Sequence, residues 1–503
     1  MILAFPDFGI WWLAWFALVP LLWAIERQST SIAACFFLGW IWGTTFFMGT
    51  CWWLTYAPIH YAAFPAWLAY LLILIACIGA GVFPAIFGGL LSILIHRFGS
   101  WALLAAPFVW VATEFARYWC TGNDWNALAY SQDSLWILPA RLGGALLVSF
   151  EVAVWSAFFY YAVWKWKSVG RGKVMIAGVA IMGPLIWYMV SIPSDGNGAK
   201  TGQVVAVQPN VPMSGLDQTK WTQLRQRQIE MAETELRKLS ENRKPTTVVL
   251  PESPMNFMYK DDPEFQRFIG DFARRNNVSV LFNSAEPDKG TTKYFNSAVM
   301  VGPDGKEVAE YDKIYLLPFG EAVPPPLDGI MPGFVGNFAY GRNYDLLPVG
   351  DAKAGVMICF ESHFGQLSRR YVQNGADVII EMTNDGYLGP TPVLRQHLAN
   401  AVFRAVETNR PVLRVTNVGI TAYITESGAV LDATQPYQED TRVWSVSKSD
   451  GAQTFYVKYG DWFAWLCVAV TLVMVGMSLR RRSVPPAIVG NDQGGDEVAE
   501  ARA

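Results

Sequence analysis

Charge is scarce in this chain: Asp, Glu, Lys and Arg make up only 16% of its 503 residues, against roughly 25% in an average soluble domain. Basic excess is absent too, with a formal net charge of −3, so nothing draws the protein onto nucleic acid. Histidine is rare. His60, His96, His363 and His397 show no paired metal-ligand spacing and no glycine-rich phosphate loop occurs, so the sequence carries no signature of a metal or nucleotide site. No internal repeat is visible. Cys35, Cys51, Cys77, Cys120 and Cys467 sit in or at the ends of apolar runs, where a free thiol acts as a small hydrophobe. Only Cys359 falls in a charge-rich segment. It has no local disulfide partner, so it is either inert packing or a reactive thiol.

What is abundant is apolar surface: 52% of the chain is hydrophobic, with 22 Trp and 30 Phe, and charge is thin before about residue 200 but dense from there to about 460. Apolar runs near 8–25, 32–55, 62–95, 100–119, 137–164, 173–193 and 461–479 suit about seven membrane spans of roughly 20 residues each. The third contains Pro84 and reads as one tilted or kinked helix. This divides the chain into N-terminal spans over 1–200, a domain over 201–455, a C-terminal span over 456–482 and a polar, disordered tail over 483–503.

Arg27, Arg97, Lys165, Lys167, Arg171, Lys173, Arg480, Arg481 and Arg482 all follow alternate spans, which puts them on the cytoplasmic side and the large domain outside. The same rule puts Met1 outside. Two readings of that start stay open, a span preceding Met1 or an outward-facing first residue. Near the outward ends of spans, Glu114, Arg117 and Arg141 lie at similar depth and suggest pairing. Glu151, ten residues past Arg141 and so roughly 15 Å deeper along a helix, reads as a paired structural carboxylate or a headgroup contact.

From about residue 203 the texture changes to short β-branched runs at 204–208, 246–252, 278–282, 355–360, 377–383 and 411–416, separated by helical patterns such as Leu216 to Glu241 and Leu394 to Thr408. Asp304-Gly305 and Ser427-Gly428 mark hairpin turns. The expectation is a mixed, layered α/β domain.

Three strand ends carry polar groups: Glu252 in LPES, Lys313 in YDKIYLLPFGE and Cys359 in MICFES. Taken singly, a solvated Glu, a surface Lys and a packed Cys are the plainer readings. Together they supply what thiol chemistry needs, a base to take the proton and a cation to hold the charge that grows on an attacked carbonyl. A Cys-His pair through His363 competes. With the strand ending at about Ser362, however, His363 starts a helix and points away.

These contexts resemble the nitrilase, or carbon-nitrogen hydrolase, superfamily, which implies an αββα sandwich with a Glu-Lys-Cys triad. With the spans added, the whole chain resembles the apolipoprotein N-acyltransferases, bacterial enzymes that add a third acyl chain to lipoproteins. The resemblance runs through FPDFGIWWLAWFALVPLLWA, TGNDWNALAYSQ, VQPNVP, KIYLLPFGEAVP, ICFES, TNDGYLG and RPVLRVTNVGITA. The architecture it implies is a polytopic α-helical bundle plus a nitrilase-like domain. Glu252 would be the base, Lys313 the oxyanion-stabilising cation and Cys359 the acyl-bearing nucleophile, with Glu321 and Glu361 as supporting carboxylates and Trp221 as a substrate contact. Phe360 stands where the family has Tyr, and Gly386-Tyr387 where it has a small residue and Trp.

The implied partners are a phospholipid acyl donor, a diacylglyceryl apolipoprotein acceptor and membrane lipids. No cofactor is implied. The implied location is the bacterial inner membrane, with the catalytic domain on its periplasmic face. The apolar segment 324–341, with Phe334 and Phe338, reads as a membrane-dipping arm beside the site, and Tyr387-Leu388 as a second lipid contact. A membrane-tethered amidase or nitrile hydrolase, and a non-catalytic scaffold, are the competing functions.

Overall fold

Strands buried on both faces read as continuous apolar runs, whereas strands with one wet face alternate. In the computed structural model, which describes residues 1–191, 200–239, 244–252, 254–255, 257–318, 320–323 and 338–480, the apolar runs form the interior of two six-stranded sheets. The first sheet has β1 (Lys200–Gln208), β2 (Thr246–Val249) and β3 (Ser279–Pro287) at its centre, paired in parallel. It is flanked by antiparallel β4 (Tyr294–Val301), β5 (Glu307–Asp312) and, on the other edge, β12 (Asp440–Ser447). The second has parallel β7 (Ala352–Ile358), β8 (Val378–Thr383) and β9 (Val412–Thr416). Antiparallel β6 (Leu346–Val349), β10 (Ala422–Ile424) and β11 (Val430–Leu431) complete it.

The orders, β12-β1-β2-β3-β4-β5 and β6-β7-β8-β9-β10-β11, repeat one pattern of pairings. The duplication without visible sequence repeat is one of topology alone.

Side-chain alternation stacks these sheets. Val204 and Ala206 of β1 face a core shared with β7 and β8, while Val205 and Val207 turn outward to Ile229 and Phe272 on the helices Gln218–Lys238 and Pro263–Asn276. The helices Gly365–Gln373 and Val393–Thr408 cover the far side through Leu367, Tyr371, Ala401 and Ala405. The result is helix, sheet, sheet, helix, the expected sandwich.

Among the described residues, four helices are long and apolar enough to cross a membrane: Ile32–His60, Ala66–Thr121, Ala145–Val169 and Trp462–Leu479. Each of the seven apolar runs carries helix, though not each as one uninterrupted span, for local reasons. The first breaks into Trp11–Leu13, Ala14–Ala17 and Val19–Arg27. The third stays helical through Gly81, whose N–H bonds Cys77 O. The third and fourth merge into 56 residues that fold back at Gly99 (φ +64°), since Phe87 and Trp110 meet at 5.0 Å. The fifth starts only after Gly144 (φ +70°). The sixth forms the helix Arg171–Ser191, with Pro184 inside it. The tail, with Arg481 and Arg482, lies outside the described residues.

Glu114 and Arg117 do not pair with each other. Glu114 accepts the Leu128 amide at 3.0 Å and Arg117 donates to the Trp125 carbonyl at 2.8 Å; loop backbone buried among helices needs partners that lipid cannot supply. Arg141 reaches the Glu426 carbonyl at 2.8 Å.

The two halves meet on the helix Val393–Thr408. Gln396 donates to Thr50 O at 3.1 Å and accepts from the Trp53 indole at 3.1 Å, while Glu407 accepts the Ala145 amide at 2.9 Å.

Candidate active site

Parallel strands in both sheets end near one another, and loops at such ends are where side chains converge. β2 ends at Val249 and carries Glu252 three residues on; β5 ends at Asp312 and is followed by Lys313. The Lys313 backbone is clamped, its N–H on Asn296 O at 2.9 Å and its carbonyl on Gly341 N at 2.8 Å. Gly341 is required there, because an added Cβ would sit 2.0 Å from Asp312 O.

β7 stops at Ile358, four residues short of the expected end at Ser362, and the next five form a 3₁₀ turn, Cys359–His363. The break is set by Cys359, whose φ of +52° leaves the extended region for the left-handed one that residues with a side chain seldom occupy. Glu361 then caps the strand, its Oε2 accepting the Ile358 amide at 2.9 Å.

Glu252, Lys313 and Cys359 come together. Lys313 is 1% exposed; its ammonium lies 2.8 Å from Glu321 and 3.9 Å from Glu252. Glu252 and Cys359 are close enough to act on each other's ionisation. Burial raises the Glu252 carboxyl above its ordinary value, Lys313 pulls against it, and Glu321 adds to the rise. Burial likewise raises the Cys359 thiol, and Lys313 opposes. Burial would lower the Lys313 ammonium, but Glu321 and Glu252 more than offset it and hold its pKa above the ordinary value. At rest this favours a neutral thiol beside a fixed cation. Such a thiol needs a base beside it to take its proton, and Glu252 is a carboxylate close enough to affect it.

Glu361 is wholly buried. Besides Ile358 it accepts from the Tyr311 hydroxyl at 2.7 Å and the Ile314 and Tyr315 amides at 2.8 and 3.1 Å. It supports the site from behind and does not face it. His363 is not at the thiol: Nδ1 bonds Phe360 O at 2.8 Å, Nε2 accepts from Asn400 at 3.2 Å, and the ring stacks on Trp125.

Tyr387 is 46% exposed; burial first, and then the neighbouring Glu252, Cys359 and Glu321, raise its phenol pKa, which puts it beside the site. Its loop meets the membrane half at Tyr61, which donates to Gly386 O at 3.3 Å. Trp221 lies on the outer helix Gln218–Lys238, its indole N–H spent on Met255 O at 2.9 Å and its ring against Phe257. Phe338 is half-buried and its amide bonds Glu321 O at 3.3 Å. Phe334 and most of the proposed arm lie outside the described residues.

Sequence reading missed Asn296, whose amide bridges Glu252 at 3.1 Å and Glu321 at 2.7 Å. The signal was an Asn inside the apolar run of β4.

Residues 1–159 match the family described as apolipoprotein N-acyltransferase N-terminal domain, and 227–454 match carbon-nitrogen hydrolase. The apolipoprotein N-acyltransferase of Geobacter metallireducens is 30% identical over 505 residues, 96% of this chain and 94% of that protein. The Thermotoga maritima protein of the same name is 28% identical, covering 95% and 92%. Among solved structures, an amidase from Nesterenkonia sp. is 14% identical, covers 52% of this chain and 95% of its own, and has a TM-score of 0.37. Saccharomyces cerevisiae Nit3, of the nitrilase superfamily, is 15% identical, with coverages of 51% and 93% and a TM-score of 0.39. With a full-length relative at that identity and both regions accounted for, the chain belongs to the apolipoprotein N-acyltransferase family.

Proposed function

We propose that this protein transfers an acyl chain from a phospholipid, by way of a thioester on Cys359, to the N-terminal amine of a diacylglyceryl-cysteine lipoprotein. The observation that carries the reading is the meeting of carboxylate, ammonium and thiol, with Lys313 3.9 Å from Glu252, in a chain that also has four apolar helices of spanning length.

Glu252 takes the Cys359 proton as sulfur attacks the ester carbonyl, and Lys313 holds the charge that grows on the oxygen. The C–O bond then breaks. The departing lysophospholipid alcohol takes the proton back from Glu252. In the second half the acceptor amine attacks the thioester, Glu252 receives its proton, the C–S bond breaks and the proton returns to sulfur. No cofactor enters either half.

Lys and Arg after alternate spans favour an orientation with this domain on the non-cytoplasmic face, and the family supports an inner-membrane location, where an amine displayed on the outer leaflet could reach the thiol.

The test uses the full chain with phospholipid vesicles and mass spectrometry of the peptide carrying Cys359. An acyl mass on that peptide, consumed when diacylglyceryl-cysteine peptide is added and recovered as N-acylated product, is the expected outcome. Release of free fatty acid at the same rate with and without acceptor would mark a hydrolase instead, and no adduct on Cys359 would remove the nucleophile.

A further inference from the structure

One face of the helix Val393–Thr408 grips the nucleophile turn. His397, Asn400 and Arg404, at positions i, i+3 and i+7, meet Cys359 O at 3.1 Å, His363 Nε2 at 3.2 Å and Ser362 O at 3.1 Å. The first contact bears on the chemistry, because it holds the carbonyl of the residue in left-handed conformation.

His397 Nε2 faces that carbonyl, and Nδ1 faces Asp385 Oδ1 at 2.7 Å. A carbonyl only accepts, so the ring nitrogen facing Cys359 O is the donor there, while Asp385 fixes the opposite side of the ring. Charged groups close around it: Glu381 lies 3.4 Å away, and Arg414 touches Glu381 at 2.6 Å and Asp385 at 2.8 Å. All four side chains are at least nine-tenths buried. The ring, Glu381, Asp385 and Arg414 thus close on one another away from water, which leaves the ring little freedom to turn.

We infer that His397 is a positioning residue: it pins the strained Cys359 peptide and thereby aims the Phe360 amide N–H at the acyl carbonyl under attack. In a planar trans peptide the carbonyl and the following N–H point opposite ways, so fixing Cys359 O toward His397 turns the Phe360 N–H to the other face. There it is a second donor, beside Lys313, for the developing oxyanion. Asp385 holds the ring, and Arg414 holds Asp385. The inference rests on Cys359 being the acyl-bearing nucleophile.

The experiment measures single-turnover thioester formation on the full chain in phospholipid vesicles, for wild type, His397→Ala and His397→Gln, with thermal unfolding of each. Misaimed groups cost on the order of a hundredfold in rate. His397→Ala is expected to lose about that much in maximal rate, with half-saturating phospholipid changed less than about twofold. His397→Gln keeps an N–H within reach of the carbonyl and should recover about tenfold of the loss. A wild-type rate in folded His397→Ala, a loss confined to half-saturation, or no recovery in folded His397→Gln overturns the inference. Should the Ala variant not fold, the Gln variant decides against wild type, and loss of fold in both leaves His397 a purely structural role. Absence of any wild-type adduct removes the nucleophile reading itself, an outcome distinct from all of these.

Discussion

Glu361 accepts the Ile314 amide at 2.8 Å, and so ties the segment that carries Lys313 to the turn that carries Cys359. The same carboxylate takes Tyr311, Tyr315 and Ile358 as further donors. Four donors to one side chain suit an anion with several lone pairs and do not suit an amide, which offers a single acceptor oxygen. Glu361→Gln, even with its oxygen toward Tyr311, Ile314 and Tyr315, should strand the buried Ile358 N–H and turn an N–H against it. The expected cost is about 1–3 kcal/mol of stability, seen as a lowered thermal midpoint, with thioester formation slowed more than tenfold as Lys313 and Cys359 drift apart. A variant with wild-type rate and midpoint would show that the tie is dispensable.

The pH dependence follows from the same neighbourhood. Glu252 must be ionised to accept the thiol proton, so activity is present above its pKa and falls as pH drops through it. Burial holds that pKa above the ordinary carboxylate value, Lys313 works against burial, and Glu321 contributes to the rise. Glu321→Gln deletes the like charge. The acid limb of kcat/KM should therefore move to lower pH, while the plateau falls because Lys313 loses its 2.8 Å partner. A limb that stays put or moves upward would exclude Glu252 as the group being titrated.

How much of this was legible follows from burial. The six apolar runs recognised in the sequence correspond to β1, β2, β3, β7, β8 and β9, the parallel interior strands. The others are the flanking antiparallel strands. β5 (EVAEYD) and β12 (DTRVWSVS) carry many polar or partly exposed positions, which hides a strand from a search for apolar runs. The site divides in the same way. Glu252, Lys313 and Cys359 stood out because each ends or follows a strand. Asn296 and His397 did not, since a polar residue inside a strand or on a helix declares its partner only once the chain is folded. Asp385 and Arg414, which meet at 2.8 Å, lie 29 residues apart, and nothing in the sequence joins them.

The junction between the two halves holds a second charge cluster away from the thiol. Arg404 and Glu407 pair at 2.9 Å, each 1% exposed, beside Asp124 and around a cavity whose lining includes Tyr118, Tyr456 and Asp461. Burial pushes the Glu407 carboxyl up to about 7 against the pull of Arg404. A carboxyl whose pKa is higher folded than unfolded binds its proton better in the folded state, so its contribution is fully present below about 4.5 and is lost as pH rises through about 7. The thermal midpoint of the full chain should accordingly fall between pH 5 and 8, and Glu407→Gln, which cannot titrate, should flatten that fall. Arg404→Leu should act differently. It leaves Glu407 and Asp124 without their cation and should lower stability by about 3 kcal/mol, most severely at the alkaline end where both carboxyls are charged. Midpoints of the three proteins across that range separate the cases, and a Glu407→Gln variant with the wild-type slope would assign the pH dependence to another group.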